Sequence, residues 1–289
     1  MQYVLIVNPV AGNGFALNVL KKAEAVLQDR EFEYTVVRTE HPRHATALAR
    51  KASADENVRA VFSVGGDGTA GEVAAGLAGT GKAMGIIPAG TGNDFIKALH
   101  LPKDPIKALD FLLSHDAAPV DTGTVNGEFF LNVCGTGFDV TVLDYAEKNK
   151  AKTRGLTPYF LGLLEAIFHY RPLRLTVTRD GKRETIDALI CSVANGQYIG
   201  GGIPICPAAD PTDGLIDLVL IKGIPRWRIP FYLPGLMMSG ALRFRITRHE
   251  TVQKVLVEGN GLRVNIDGDI RSMEKAEFAV HPGSLMLIH

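Results

Sequence analysis

Val61-Phe62-Ser63-Val64-Gly65-Gly66-Asp67-Gly68-Thr69 is a β-branched and aromatic run that stops in glycines around one carboxylate and one hydroxyl. The apolar half reads as a buried strand. Glycines, lacking Cβ, let the backbone N–H groups that follow close around a phosphate. A helix opening at Ala70 would add the partial positive charge of its N-terminus. The stretch predicts a strand-turn-helix unit that cradles a nucleotide.

The flanking sequence repeats the pattern. Tyr3 to Val7 reads as a strand and Asn8 to Gly14 as a turn; Leu17, Leu20, Ala23 and Leu27 then recur at helical spacing up to Arg30. Tyr34–Arg38 and Arg59–Val64 read as strands, with a helix over Ala45–Ala54 between them and a further helix over Ala70–Leu77. Ala83–Ile87 reads as a fourth strand, running into Pro88-Ala89-Gly90-Thr91-Gly92-Asn93-Asp94, a second glycine-rich turn before a helix. Strand alternating with helix at this spacing predicts an open parallel α/β sheet, whose ligands gather at the C-terminal ends of the strands.

After Asp121 the rhythm changes. Phe129–Val133, Leu173–Arg179, Ile186–Val193, Leu215–Ile221, Thr251–Val257, Arg263–Ile266 and Ala276–Val280 are strand-like, and Pro158–His169 is the single good helical stretch among them. The expectation is an α/β domain over 1–122 and a β-rich sandwich over 123–289, the last ~15 residues being free to return and pack on the first domain.

The 289 residues suit two medium domains, and Lys plus Arg equals Asp plus Glu at 31 each, so no nucleic-acid partner is expected from charge. Three scattered cysteines, Cys134, Cys191 and Cys206, with no CxxC pair, read as a reduced, cytoplasmic chain. The N-terminus lacks a basic region and reads as a strand rather than a signal peptide. Nothing reaches the roughly 18 uncharged apolar residues of a membrane span. Ile229 to Leu242 comes nearest, but it is short and contains Pro230, Pro234 and Gly235.

Gly76 to Lys82 spells most of a P-loop, but Ala83 stands where a Ser or Thr hydroxyl is needed, and the setting is helix-to-strand. It reads as a turn. Gly66-Asp67-Gly68-Thr69-Ala70-Gly71 matches G-x-G-x-x-G in the right setting, yet no acidic residue about 20 positions on is placed to hold a ribose. Asp67 would repel a bare pyrophosphate, and Mg²⁺ between the two reverses that sign, so the loop suits a metal-nucleotide. A tight glycine turn is the plain alternative. Gly90 to Asp94 repeats the recipe, and Val120-Asp121-Thr122-Gly123 offers a third carboxylate. Asp67, Asp94 and Asp121, at successive strand ends, are expected to converge; any one alone reads as a solvated loop aspartate.

These residues carry a resemblance. Asn8-Pro9 with Gly12, Gly65 to Thr69 with Glu72, and Gly90 to Asp94 resemble the catalytic domain of the diacylglycerol kinase family, in particular its bacterial soluble lipid kinases. Asn132 to Val140, Asn195 to Gly202, Pro207 to Asp217 and Asp267-Gly268-Asp269 are similar to later blocks of that family. The first glycine motif is shared with NAD kinases; the combination is more specific.

The resemblance implies a two-domain kinase with ATP and Mg²⁺ in the interdomain cleft. It implies nucleotide contacts from Asn8, Pro9, Val10, Ala11 and Gly12, from Thr39, from Gly65, Gly66, Asp67, Gly68, Thr69, Ala70, Gly71 and Glu72, and from Thr91. Asp67, Asp94 and Asp121 would organise Mg²⁺. Asp213, with main-chain oxygens of Asp210 and Leu215, would hold a second, structural Mg²⁺, where the residues alone read as an Asp-Gly turn. The acceptor's base falls to an Asp-Gly-Glu turn that here reads Asp267-Gly268-Asp269, one methylene shorter at the end, so either Asp267 or Asp269 fits the role. Ala11 and Asn13 also depart from the small hydroxyl and basic residue that many members carry.

Met84, Met237 and Met238 read as core. His44, His100 and His115 read as surface or satisfied histidines. Between Lys222 and Arg248 there are six basic residues and no acidic one, interleaved with Trp227, Phe231, Tyr232 and Leu233. That composition suits an anionic membrane surface, or a rim of the β domain packing on its neighbour. The expectation is an ATP- and Mg²⁺-dependent kinase of a diacylglycerol-like lipid, cytoplasmic and peripheral to the inner face of the membrane, with a homodimer among the assemblies allowed. The alternatives are an NAD kinase and a non-catalytic nucleotide- or lipid-binding module.

Overall fold

The computed structural model describes residues 1–150 and 157–289, with side chains described outside 150–160. Strands β1 (Gln2–Val7), β2 (Tyr34–Arg38), β3 (Val58–Gly65) and β4 (Ala83–Pro88) alternate with helices α1 (Phe15–Asp29), α2 (His44–Ser53) and α3 (Asp67–Leu77). The strands pair in parallel in the order β2-β1-β3-β4. A central parallel strand is covered on both faces, which is why β1 and β3 are apolar almost throughout. Helix α1 covers one face through Val19, Leu20, Ala23 and Leu27, and α2 and α3 cover the other through Ala45, Ala49, Val73 and Leu77. Helices α4 (Asp94–Ala98) and α5 (Pro105–Ser114) follow, α5 being capped by Asp104, whose Oδ1 accepts from Ile106 N and Lys107 N at 3.0 and 2.9 Å.

Then come β5 (Ala117–Val125), β6 (Glu128–Phe130), β7 (Val133–Gly137), α6 (Phe138–Lys150), α7 (Thr157–His169), β8 (Leu173–Arg179) and β9 (Lys182–Ala194). A two-residue pair, β10 (Tyr198–Ile199) and β11 (Ile203–Pro204), precedes β12 (Ile216–Lys222), α8 (Ile229–Ser239), β13 (Thr247–Val252), β14 (Lys254–Gly259), β15 (Arg263–Ile266), β16 (Asp269–Ser272) and β17 (Lys275–Ile288). Two antiparallel layers form the sandwich, β16-β15-β7-β9-β12-β13 and β9-β8-β14-β17-β5-β6. Strand β9 belongs to both, one end pairing with β8 and the other with β7 and β12. Val177, Cys191, Leu218, Val257 and Phe278 fill the space between the layers. Helices α6, α7 and α8 pack on the outer face of the first layer. The fold is an α/β domain with a C-terminal β-sandwich.

Two strands join the halves. Strand β17 pairs with β14 through Lys275–Ala279, bulges between His281 and Leu285, and ends with Leu287 beside Met84 of β4. Strand β5 runs antiparallel to it along both parts. Asp121 therefore lies in the middle of β5, not at a strand end as expected, because β5 continues through the domain boundary.

Other expectations change for similar reasons. The strand read over Phe129–Val133 breaks at Leu131 and Asn132, whose N–H groups turn to the Asp267 carboxylate instead of a ladder. The run Thr251–Val257 breaks at Gln253. Helices α5, α6 and α8 lie outside the stretches the sequence predicts as helical; α8 is apolar around its whole circumference and contains Pro234, so it shows no 3.6-residue stripe. Met84 is buried, but Met237 and Met238 are 59% and 83% exposed on α8, so the core reading of those two is corrected.

Candidate active site

The turns after β1, β3 and β4 meet at the C-terminal edge of the parallel sheet. A Cβ on Gly90 would lie 2.3 Å from Gly66 Cα, so the second and third turns touch backbone to backbone. A Cβ on Gly12, at φ +58°, would lie 2.4 Å from the Ala89 carbonyl oxygen, which brings in the first turn. Asn8 Nδ2 donates to Thr69 Oγ1 at 3.2 Å, while Asn8 Oδ1 accepts from Val10 N. Thr39 sits at the end of β2, its N–H on Val7 O at 2.9 Å. Around this floor Val10, Gly68 and Thr91 are exposed, Pro9, Ala11, Gly66 and Gly71 are half-buried, and Gly65 is buried. Ala70 is buried and faces the core. Glu72, expected among the nucleotide contacts, accepts from Arg43 N and Ala45 N at 2.9 and 3.1 Å and so caps the start of α2.

Asp67 and Asp94 come together. Asp67 Oδ1 accepts from Asp94 N at 2.5 Å and Phe95 N at 3.3 Å. Its Oδ2 is directed at Gly92, where a Cβ would lie 2.9 Å from it and 3.6 Å from Asp94 Oδ2. Burial, then the like charge of Asp94, raise the Asp67 pKa above the ordinary carboxylate value, and the backbone donors at 93–95 oppose that rise. Asp94 is held by Lys97 Nζ at 2.6 Å and by Gly201 N, from the sandwich half, at 2.8 Å. Two carboxylates with one ammonium leave a net negative, oxygen-rich pocket, which fits Mg²⁺.

Asp121 is 2% exposed and its oxygens accept from Gly283 N and Gly214 N at 2.7 and 2.6 Å. It lies opposite the β17 bulge and ties the 210–215 loop to the domain boundary, a link doubled by Asp121 N to Pro211 O at 2.7 Å. Within that loop Asp210 Oδ1 accepts from Thr212 N and Oγ1, and Asp213 Oδ1 from Leu215 N at 2.9 Å. Burial raises the Asp213 pKa, with Asp217, Asp210 and Asp121 adding to the effect. Carboxylate and main-chain oxygens suit a hard cation, but here Asp210 Oδ1 and Asp213 Oδ1 are each taken by donors of their own turn.

The Asp267-Gly268-Asp269 turn separates its two carboxylates. Asp269 is 70% exposed in its side chain and pairs with Arg271 at 3.1 Å. Asp267, at φ +48°, accepts from Leu131 N through Oδ2 at 2.6 Å and from Asn132 N and Val133 N through Oδ1 at 3.0 Å each. Burial pushes its pKa up to about 6 despite those three donors, and Asp67 contributes to the rise. Oδ2 faces α3 of the first domain, 3.8 Å from where a Gly71 Cβ would stand. Asp67, Asp94 and Asp267 thus share one cleft.

Four contributors escaped the reading of individual residues. Lys97 stands three positions after Asp94, a legible helical pair. Asn195, whose Nδ2 donates to Asp121 O and Leu131 O at 2.9 and 2.7 Å, and Gly201 both lie in a block quoted only for its resemblance. The Gly283 N–H has no side-chain signature.

A parallel α/β domain and a β-sandwich that close glycine turns and carboxylates between them define a two-domain phosphotransferase. The chain matches the family model of the diacylglycerol kinase catalytic domain over residues 2–125 and that of the YegS C-terminal NAD kinase beta sandwich-like domain over residues 132–289. It is 31% identical to a diacylglycerol kinase of Mycobacterium tuberculosis, covering 98% of this chain and 93% of that one. It is 33% identical to a probable lipid kinase YegS-like of Pseudomonas aeruginosa, covering 76% and 73%. A crystal structure described as a diacylglycerol kinase from Bacillus anthracis superposes at TM-score 0.75 with 23% identity, over 100% of this chain and 96% of that one, a likeness of fold. The chain belongs to the diacylglycerol kinase catalytic-domain family and is an enzyme, a kinase. Among the described residues no helix is long and apolar enough to cross a membrane.

Proposed function

We propose that the protein transfers the γ-phosphoryl group of ATP, with Mg²⁺, to the hydroxyl of a diacylglycerol-like lipid at a membrane surface. The observation that carries this reading is the half-buried Asp267 carboxylate opposite Gly71, in one cleft with Asp67 and Asp94. Phosphoryl transfer needs positioning and charge neutralisation more than covalent chemistry. The turns at Gly12, Gly66 and Gly90 offer backbone N–H groups to the phosphates. Asp67 and Asp94 would hold Mg²⁺, which when bound neutralises charge on the phosphates. Lys97 and Gly201 N fix the Asp94 rotamer. Asp267 Oδ2 takes one described hydrogen bond, from Leu131 N, and keeps a lone pair with which to accept the proton of the attacking hydroxyl. A pKa of about 6 leaves it ionised at neutral pH and near the value a general base needs.

The lipid reading rests on the surface of α7 and α8. Phe168, Trp227, Phe231, Met237 and Met238 are 71%, 63%, 77%, 59% and 83% exposed, and Arg226 Nη1, in the Arg226–Arg228 turn that leads into α8, donates to Phe168 O of α7 at 3.1 Å. Lys222, Arg226, Arg228, Arg243 and Arg245 are exposed in the same segment, which has no acidic residue between Lys222 and Arg248. Exposed apolar side chains interleaved with cations suit the interface of an anionic bilayer. Purified protein given γ-labelled ATP and a panel of lipids in anionic vesicles is expected to label a diacylglycerol-like alcohol. Labelling of no lipid, together with conversion of NAD to NADP in a coupled assay, would overturn the lipid reading in favour of an NAD kinase.

A further inference from the structure

We propose that Cys206, Asp217 and His249 form a binding site for a transition-metal dication of the zinc class, separate from the nucleotide cleft and independent of the kinase reading. Cys206 lies in the loop between β11 and β12, Asp217 on β12 and His249 on β13. Asp217 pairs with Thr251 and Val219 with His249 across the antiparallel ladder, so Asp217 and His249 are diagonal neighbours on one face. Among the described residues this is the single cluster of three such side chains whose donor atoms lie within 4.8 Å of one another.

The donors are one sulfur, one nitrogen and one oxygen, a borderline-soft set that selects zinc-like cations over Mg²⁺. Tetrahedral ligands at about 2.0–2.3 Å stand roughly 3.3–3.7 Å apart, so the cluster needs only a small side-chain shift to close on a cation. That shift exchanges the His249 Nε2 to Asp217 Oδ1 hydrogen bond, at 2.5 Å, for two coordination bonds. Cys206 is fully buried and the Asp217 side chain 2% exposed, while His249 is 28% exposed and leaves a water-facing fourth position. Asp217 has no lysine or arginine partner among the described residues; its carboxylate faces only His249 and the Cys206 thiol. A buried carboxylate without a full counter-charge is costly, and a dication supplies that charge.

A cation here would fasten the 205–215 loop, which carries Asp210 and Asp213 and reaches Asp121, to the base of the basic, apolar segment. Gly240 already packs on that loop, since a Cβ there would lie 2.6 Å from Pro207 Cγ.

Cobalt titration of the chelator-treated full chain tests the site. One equivalent of Co²⁺ is expected to give tetrahedral visible bands and a near-ultraviolet thiolate-to-cobalt charge-transfer band, both lost on adding zinc. Cys206→Ser removes the charge-transfer band. His249→Gln, at a half-buried position and still able to donate to Asp217, weakens cobalt binding at least about tenfold with an unchanged circular dichroism spectrum. Absence of the band, its persistence in Cys206→Ser, or unchanged affinity in His249→Gln would overturn the proposal and leave a plain histidine–aspartate hydrogen bond.

Discussion

Replacing Asp267 by Asn tests the mechanism because its effects on rate and on stability separate. Burial raises the Asp267 pKa from 3.8 to about 6. The folded protein therefore holds that proton more tightly than the unfolded chain. The contribution of this group is most favourable below pH 4, falls as pH rises through 6, and at pH 7 amounts to a penalty of about 3 kcal/mol. Asparagine removes the penalty. It retains one acceptor oxygen for Asn132 N and Val133 N, but turns an NH₂ group toward Leu131 N, which costs about 1–3 kcal/mol. The two changes offset, so the melting temperature should move by only a few degrees. If Asp267 accepts the acceptor hydroxyl's proton, kcat should fall by about 10²–10⁴. Initial rates on mixed lipid vesicles at saturating ATP, beside a thermal melt, give both numbers. Wild-type kcat/KM should rise with pH through about 6, and the variant should lose that limb. A variant within about threefold of wild-type kcat would refute the assignment, as would activity lost only in proportion to unfolding.

Asp269→Asn, at a 70% exposed side chain, should leave kcat within about twofold. Lys97→Met leaves the Asp94 carboxylate, 7% exposed, without its ammonium; chemical denaturation in the absence of metal should show a loss of about 3–5 kcal/mol. Asp121→Asn turns an amide donor toward Gly283 N or Gly214 N, so about 2–3 kcal/mol of stability should be lost, with faster amide exchange at the β5–β17 bulge. Neutralising Arg226 and Arg228 together by Gln should weaken sedimentation with anionic vesicles about tenfold or more, at roughly 1 kcal/mol per charge, and leave binding to neutral vesicles unchanged.

The first domain was legible because its signals are local. Apolar runs of strand length, helical spacing of Leu17, Leu20, Ala23 and Leu27, and glycine turns each report on a few neighbouring residues, and the parallel sheet follows from their alternation. The second half hid its helices for physical reasons. Helix α8 lacks a polar face because its apolar residues go both inward and outward, Ile229 buried and Phe231 and Met238 exposed. A stripe forms only when one face meets water.

Among the carboxylates, the sequence by itself determined Asp67 and Asp94, each beside glycines whose missing Cβ allows the turns to touch. It did not determine what became of Asp121, Glu72 and Asp267. Those depend on which backbone N–H groups the fold delivers: Gly214 and Gly283 to Asp121, Arg43 and Ala45 to Glu72, Leu131 to Val133 to Asp267. Every residue except proline carries an N–H, so composition cannot say which one will meet a given carboxylate. The tertiary structure decided it by carrying β5 and β17 across both domains, which places the half-buried Asp267 carboxylate of the sandwich opposite Gly71 of α3.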